Sequence, residues 1–570
     1  MHGWTGKTVI IDLTEGKITE TKSDLSTLNS YIGGRGLGVK LYYDLITPDI
    51  DPLSQDNILI FTTGPLTGTQ APLSGRHVMV SRSPLTGTIF DSSSGGFFGK
   101  ELKFAGIDAL IIKGAADEPV YISIQDDDID IHPANDLWGR NVRKCTDELS
   151  AKGRVACIGR AGERLVPMAN VMNDYFHACG RGGLGAVMGS KKLKAIVVKG
   201  SRKPEILDEK RFEKARTEAH QLIKAGSRGL STYGTSALLN LMNYQKILPT
   251  GNFRKNELGN AFKVSADFIK DNYDIKGHTC YNCTIACKHI IKSGAFSGYE
   301  IPEYETLWSF GPDNNNSDLE SIIKVNRMCN DYGIDTISAG STIAAYAEIM
   351  GEDVKEFVEI VKKMGENEGL GMELGKGSKA LSNLWGKDVS MQCKGLELPG
   401  YDPRGLLGMA LAYATSNRGG CHTRAYMAGP EVLGRPKKVD RLTFLGKADM
   451  VKKYQDENAS LDSLVLCLFS TFTVSKEIFA DMLSAATGVD YSSGEFLKCG
   501  ERIWNLERIF NNNVGFSRND DILPERFFGN GGINRGEFER TLDEYYRERG
   551  WDENGVPTKE KLDELGLKNS

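Results

Sequence analysis

The texture of this 570-residue chain changes once, near Pro204, and that change limits the folds open to it. Before it, short runs rich in Val, Ile and Thr are bounded by Gly, Pro or Asp, the pattern of β-strands joined by tight turns. Lys7 to about Lys22 reads as a hairpin turning over Thr14-Glu-Gly16. Further strands are expected over Asn57 to Thr62, His77 to Ser81, Ala109 to Lys113, Val120 to Ile124, Arg154 to Ile158 and Ala195 to Lys199. After Pro204, apolar residues recur at the 3.6-residue period of amphipathic helices, beginning at Asp208-Glu-Lys-Arg-Phe-Glu-Lys-Ala-Arg. Helices are expected over Ser317 to Tyr332, Ser338 to Met350, Asp353 to Met364, Leu406 to Thr415, Lys476 to Ala486 and Phe496 to Phe510. Glu397-Leu-Pro-Gly-Tyr-Asp-Pro403 interrupts that pattern. A chain this long exceeds one hydrophobic core, so three domains are expected: a β-rich unit over 1–205 and helical units over 206–399 and 400–570, α+β overall. The charged tail from about Arg535 reads as a solvated surface helix.

A net charge of −5 with 25% charged residues leaves no basic excess to hold nucleic acid. No apolar run is long enough to span a membrane and the N-terminus has no signal-peptide pattern, so a cytoplasmic protein is expected. Eleven cysteines are too few for a disulfide scaffold in a chain of this length. Three of them fall within eight residues, Cys280-Tyr-Asn-Cys283-Thr-Ile-Ala-Cys287. Thiolates at C-x2-C-x3-C spacing surround one inorganic centre without strain. Spacing leaves three readings: a [4Fe-4S] cubane with a distant fourth cysteine, zinc with His289 as an irregularly spaced fourth ligand, or a trio of core cysteines.

The 64 glycines are densest in the first 200 residues. Gly33-Gly-Arg-Gly-Leu-Gly-Val and Gly180-Arg-Gly-Gly-Leu-Gly-Ala-Val-Met-Gly189 look like one device used twice, which hints at an internal duplication. Clustered backbone N–H groups beside an Arg suit an anionic phosphate. A dinucleotide fold fits less well, because no clear strand precedes Gly33 and no βαβ unit with a ribose-binding acid is evident. Tight turns between strands are the plain alternative.

Between the loops lie Gly64-Pro-Leu-Thr-Gly-Thr, Ser74-Gly-Arg-His-Val-Met-Val-Ser-Arg-Ser-Pro-Leu-Thr-Gly-Thr and Asp91-Ser-Ser-Ser-Gly-Gly-Phe-Phe-Gly99. Together with Arg181 to Ser190 and Cys280 to Cys287, these blocks resemble the tungsten-dependent aldehyde:ferredoxin oxidoreductase family over essentially the whole chain. The resemblance implies a β-domain on which two tungstopterins sit, closed over by two helical domains, and molybdenum fits the same motifs. It implies a [4Fe-4S] cluster on Cys280, Cys283, Cys287 and Cys467, the last in Asp462-Ser-Leu-Val-Leu-Cys467, where Val465 replaces the family's usual Gly. Asp462 is thereby a pterin-binding candidate. The partner motif is Asn330-Asp-Tyr-Gly-Ile-Asp335, with Asn330 in place of an Asp; Asn330, Asp331 and Asp335 are its candidates.

By the same resemblance Arg76 lies between cluster and pterin, while Ser93, Ser94, Gly95, Arg181 and Gly182 serve the cofactor. A magnesium bridging the pterin phosphates is implied near Ser93 and Gly182. Glu305, in Pro302-Glu-Tyr-Glu-Thr306, and His422, in Arg418-Gly-Gly-Cys-His-Thr-Arg-Ala-Tyr426, match the acid and imidazole nearest the metal. Residue type alone reads them as an exposed helical Glu and a satisfied core His. The implied activity is oxidation of an aldehyde to a carboxylic acid, with electrons leaving through the cluster to ferredoxin or a ferredoxin-like subunit. Homodimer and heteromeric complex both stay open. The E-x-x-H motif that holds a dimer iron in some members is absent, since the helix before Asn330 offers Glu320-Ser-Ile-Ile323 and Lys324-Val-Asn-Arg327. Two rivals remain: a tungsten subunit of a reductive complex acting on an aromatic thioester or carboxylic acid, and a non-catalytic, zinc-stabilised binding protein.

Overall fold

Two six-stranded sheets with one topology build the first 200 residues of the computed structural model, which describes residues 1–529 and 531–567. The first contains β1 (Lys7–Asp12), β2 (Lys17–Lys22), β3 (Leu59–Thr62), β4 (His77–Arg82), β5 (Ile89–Ser94) and β6 (Ala109–Lys113), ordered β2-β1-β6-β3-β4-β5. The second contains β7 (Val120–Gln125), β8 (Asp128–Pro133), β9 (Arg154–Cys157), β10 (Val171–Asn173), β11 (His177–Cys179) and β12 (Leu193–Lys199), ordered β8-β7-β12-β9-β10-β11. In each, a hairpin comes first, the sixth strand returns parallel to the first, and all other pairings are antiparallel. The domain is therefore a structural duplication.

Burial explains which strands were legible. Ala109-Leu-Ile-Ile and Ala195 to Val198 are apolar runs covered on both faces, as central strands require. Lys17 to Lys22 and Asp128 to Pro133 carry charge along the exposed edges, where it discourages pairing with a second chain.

The duplication corrects the pairing of the glycine loops. Gly33 to Gly38 opens a helix between β2 and β3, whereas Gly180 to Gly185 opens one between β11 and β12. The counterpart of Gly180-Arg-Gly-Gly is Gly95-Gly-Phe-Phe, between β5 and β6. Arg35 does not face a phosphate. It is fully buried and forms a two-pronged pair with Glu507 at 2.7 and 2.8 Å, with Asp462 at 3.4 Å. A Cβ on Gly34 would stand 2.4 Å from the Asp462 carbonyl and 2.5 Å from Val465, and φ there is +42°. The first loop is thus a close backbone contact that seats the Asp462 segment.

The helical part begins with Glu209–Gly226 and ends with Arg535–Arg549 and Lys559–Leu565. Its centre is Leu407–Thr415, apolar on every side and wholly buried. One core containing Trp308, Leu398, Tyr413 and Trp504 runs across Pro399 without a break. The expected helices all form, with shifted starts at Thr336, Phe357 and Ser493. Lys447–Leu464 is a helix without a clear apolar stripe, because buried Gln455, Asp456 and Asn458 occupy core positions. The tail helix is solvated on one face only. Phe538, Leu542, Tyr545 and Tyr546 are buried, and fully buried Arg549 pairs with Asp456 and donates to Gln455 Oε1 at 2.7 Å. Among the described residues no helix is long and apolar enough to cross a membrane.

Candidate active site

The ends of β5 and β11 meet at the centre of the duplicated domain, where Cys179 Sγ donates to the Ser92 carbonyl at 3.3 Å. Over this point the helical part leaves a cavity of about 430 Å³, within the size range of cofactor pockets. Its lining includes Arg76, Ser93, Gly95 and Arg181 from the β-domain. The helical segments add the cysteines 280, 283, 287 and 467, Asn330, Asp335 and Asp462, and Glu305 with His422.

The cysteine loop joins β13 (Ile275–His278) to β14 (Lys288–Ile291). It is sewn to the β-domain: Tyr281 N donates to Gly96 O at 3.1 Å, Leu73 N to Asn282 O at 2.9 Å, and Asn282 Nδ2 to Ala71 O at 2.7 Å. Cys467 follows the helix Lys447–Leu464, whose cap is Val465 at φ 63°. A left-handed β-branched residue is strained by about 1–2 kcal/mol, and burial of Val465 against Gly34 holds it there. Burial pushes the Cys280 thiol up to about 11 and raises Cys283 and Cys287 as well. Desolvated thiols of this kind need a metal centre to become thiolates. Among the described residues no three His, Cys, Asp or Glu side chains converge closely enough for a single ion. Four thiols lining one cavity are the donor set a cubane takes.

Arg76 donates through Nε to Ser93 Oγ at 2.9 Å and through Nη2 to Ser93 O at 3.0 Å. Arg181 is held from three sides: Nε to Asp335 Oδ2 at 3.0 Å, Nη1 to Gly420 O at 3.1 Å and Nη2 to Glu397 O at 2.9 Å. Asp335 also caps the helix Thr336–Met350, accepting from Ile337 N. Asn330 donates to Glu300 Oε2 at 3.1 Å, and Glu300 pairs with Lys288 at 2.5 Å. Asp462 Oδ2 accepts from Arg424 Nη1 at 3.0 Å.

Three candidates lie off the cavity. Asp331 pairs with Arg327 at 3.0 Å on the outer side of its helix. Ser94 is buried against Asn173. Gly182, at φ +87°, presses on the Phe90 ring and leaves Gly180 and Arg181 to face the space.

Glu305 and His422 stand together on opposite segments. Glu305 sits in the first turn of Tyr304–Phe310 and accepts from Gly400 N at 3.0 Å through Oε2; its Oε1 lies 3.6 Å from His422 Nε2. Burial raises the carboxyl to about 8 against the pull of the Gly400 N–H. Burial, reinforced by Arg181, Arg418 and Arg424, lowers the imidazole to about 3. Both groups are therefore mostly uncharged at neutral pH, and their contact is no salt bridge. His422 is flanked by the rings of Tyr401 at 5.5 Å and Tyr426 at 6.0 Å.

Sequence reasoning missed Arg418 and Arg424, although both stand in the quoted His422 segment. Arg424 Nη1 bridges Asp91 and Asp462 at 3.0 Å each, and Arg418 Nη2 donates to Cys421 Sγ at 3.0 Å. The signal was two arginines bracketing a histidine in a Gly-rich turn. Around this cavity Arg418 Nε, Arg424 Nε, Glu305 Oε1, His422 Nδ1 and Asn170 Oδ1 are buried without a hydrogen-bond partner. Such orphans are rare in folded proteins and here mark the place of a polar ligand, the arginine N–H groups suiting its anionic part. The residues fit a pterin cofactor beside an iron-sulfur cluster.

Two family models cover the chain: one described as aldehyde ferredoxin oxidoreductase, N-terminal domain, over residues 8–200, and one as aldehyde ferredoxin oxidoreductase, domains 2 & 3, over residues 214–567. Over 100% of its length and 99% of the relative's, the chain is 41% identical to the tungsten-containing aldehyde ferredoxin oxidoreductase of Pyrococcus furiosus. It is 40% identical, with the same coverage, to that of Thermococcus kodakarensis. A solved structure titled active site complex BamBC of benzoyl coenzyme A reductase, with 1,5-dienoyl-CoA, matches with a TM-score of 0.87 at 24% identity, covering 99% of this chain and 97% of that one. That likeness concerns the fold alone.

Proposed function

The chain belongs to the aldehyde ferredoxin oxidoreductase family, and on that premise we propose that it is a tungsten enzyme converting an aldehyde and water to a carboxylic acid, two protons and two electrons. The observation that carries this reading is one cavity lined by the four cysteines, by Glu305 and His422, and by Arg418 and Arg424 with unpartnered N–H groups. The reductive-complex alternative has only a likeness of fold behind it.

Cys280, Cys283, Cys287 and Cys467 would hold the cluster. Asp335, Asp462 and Asn330 would accept hydrogen bonds from pterin amino groups, and Arg76, Arg418 and Arg424 would face the cofactor's anionic parts. Magnesium would bind the phosphates and backbone carbonyls near Ser93 and Gly182. When bound, a tungstopterin would supply two-electron redox chemistry, and a cluster held by these cysteines would supply one-electron transfer toward ferredoxin.

The chain's own residues manage protons and position. Glu305 Oε1 has no donor and, once ionised, takes the proton released as water adds to the aldehyde. The Gly400 N–H fixes the other oxygen, so the acceptor stays aimed at the cavity. Neutral His422, protonated at Nε2, donates to the aldehyde oxygen and polarises it. Tyr401 and Tyr426, joined OH to OH at 3.1 Å, wall this end with aromatic surface that excludes water.

Elemental analysis of anaerobically purified protein tests the reading. Tungsten with about four irons and four labile sulfides per chain is expected; zinc in the absence of both would refute it.

A further inference from the structure

Gly95 marks a point where three donor or ligand atoms converge. A Cβ there would stand 2.8 Å from Cys280 Sγ, 3.4 Å from His177 Nδ1 and 3.5 Å from Arg76 Nη1. His177 Nδ1 itself is 4.0 Å from Cys280 Sγ, within reach of an N–H···S bond. His177 belongs to β11 and is paired with Asn173 of β10, so its backbone is fixed in the second sheet. Arg76 immediately precedes β4 of the first sheet. Cys280 is thus approached by one nitrogen from each half of the duplicated domain.

The tautomer follows from the surroundings. His177 is buried, and its Nε2 has no hydrogen-bond partner. A proton on Nε2 would be a buried donor without an acceptor, and it would turn the Nδ1 lone pair toward a negative sulfur. A proton on Nδ1 meets that sulfur instead. The ring of His278 lies 5.8 Å away, inclined by 31°, and limits rotation.

We infer that His177 is a positioning residue for electron transfer: it donates from Nδ1 to the Cys280 sulfur and raises the reduction potential of the cluster. The physical reason is that an N–H···S bond strengthens as the cluster gains an electron, so it favours the reduced state. The inference rests on the proposed [4Fe-4S] ligation by Cys280.

The test is a potentiometric titration of the holoenzyme followed by electron paramagnetic resonance, with iron counted in every sample. His177→Leu removes the donor. His177→Asn keeps one, because its Nδ2 occupies the place of Nδ1. With iron retained, His177→Leu is expected to lower the reduced-to-oxidised ratio at the wild-type midpoint about tenfold, ~59 mV for a one-electron couple. His177→Asn is expected to restore most of it. An unchanged midpoint in His177→Leu, or an equal fall in both variants, overturns the inference. Pulsed resonance on wild-type enzyme labelled with ¹⁵N-histidine is independent of how the variants fold. A histidine nitrogen coupling to the reduced cluster supports the bond, and none contradicts it. Wild-type protein without iron and sulfide would instead refute the cluster reading itself.

Discussion

Glu305 Oε1 and His422 Nε2 face each other at 3.6 Å as an acid and a base that are both uncharged near neutrality. Burial produces both states, since it penalises the carboxylate and the imidazolium alike. Once the carboxyl ionises, at a pH near 8, a proton acceptor stands beside a neutral imidazole donor.

Glu305→Gln keeps the shape of the side chain and removes its basicity. It is expected to retain tungsten and lower kcat by roughly 10²- to 10⁴-fold. His422→Asn is expected to cost less, because one polarising hydrogen bond is lost while positioning and metal Lewis acidity remain. Steady-state rates with metal content measured alongside decide the matter; near wild-type turnover in Glu305→Gln at full tungsten would make the residue structural.

A carboxyl raised to about 8 predicts that kcat/KM rises with pH through a limb near that value, and that Glu305→Gln lacks the limb. The sign for stability is opposite. The folded chain holds this proton more tightly than the unfolded one, so its contribution is full below about 4.5 and is lost as pH rises through about 8. Thermal unfolding of wild type and Glu305→Gln across that window should show the difference shrinking toward low pH.

Gly400 links the acid to the core. A Cβ there would lie 2.7 Å from Trp308 Cγ and 3.1 Å from the Tyr304 hydroxyl, in contact with side chains that are fully buried. Gly400→Ala is expected to cost about 1–3 kcal/mol and to move the N–H that holds Glu305, lowering both Tm and kcat. Loss of Tm with unchanged kcat would separate packing from positioning.

Cys467 is the only assigned cluster ligand outside the C-x2-C-x3-C loop. Cys467→Ala is expected to reduce iron below four per chain and to change the shape and yield of the cubane signal. An unaltered signal would move the ligand to Cys421, which lines the cavity, rather than to Cys329, which is sealed in a helix.

How much of this was legible depended on where the information lies. Central strands such as β6 and β12 are apolar runs and were read directly. Phe90-Asp-Ser-Ser-Ser94 was not read as a strand, because its polar side chains serve Arg76, Arg424 and Asn173. The helix Lys447–Leu464 was hidden for the same reason: Gln455 and Asp456 are buried by partners some 90 residues away. Arg35 looked like a phosphate ligand because its partner Glu507 lies 472 residues on, beyond any local pattern. The cysteine loop announced itself by spacing, whereas Cys467, Glu305 and His422 emerged only through resemblance. Arg418 and Arg424 bracket His422 in a Gly-rich turn, but their burial is a property of the assembled fold and could not be read from that pattern.

Anaerobic turnover by the purified, tungsten-loaded enzyme, followed by simultaneous measurement of viologen reduction and carboxylic acid formation, tests the central claim most directly. The account predicts aldehyde-dependent reduction with two electrons delivered for each acid formed, at a rate that collapses in Glu305→Gln. Protein carrying tungsten and iron in full that reduces no dye with any aldehyde, or yields acid without delivering electrons, would contradict it.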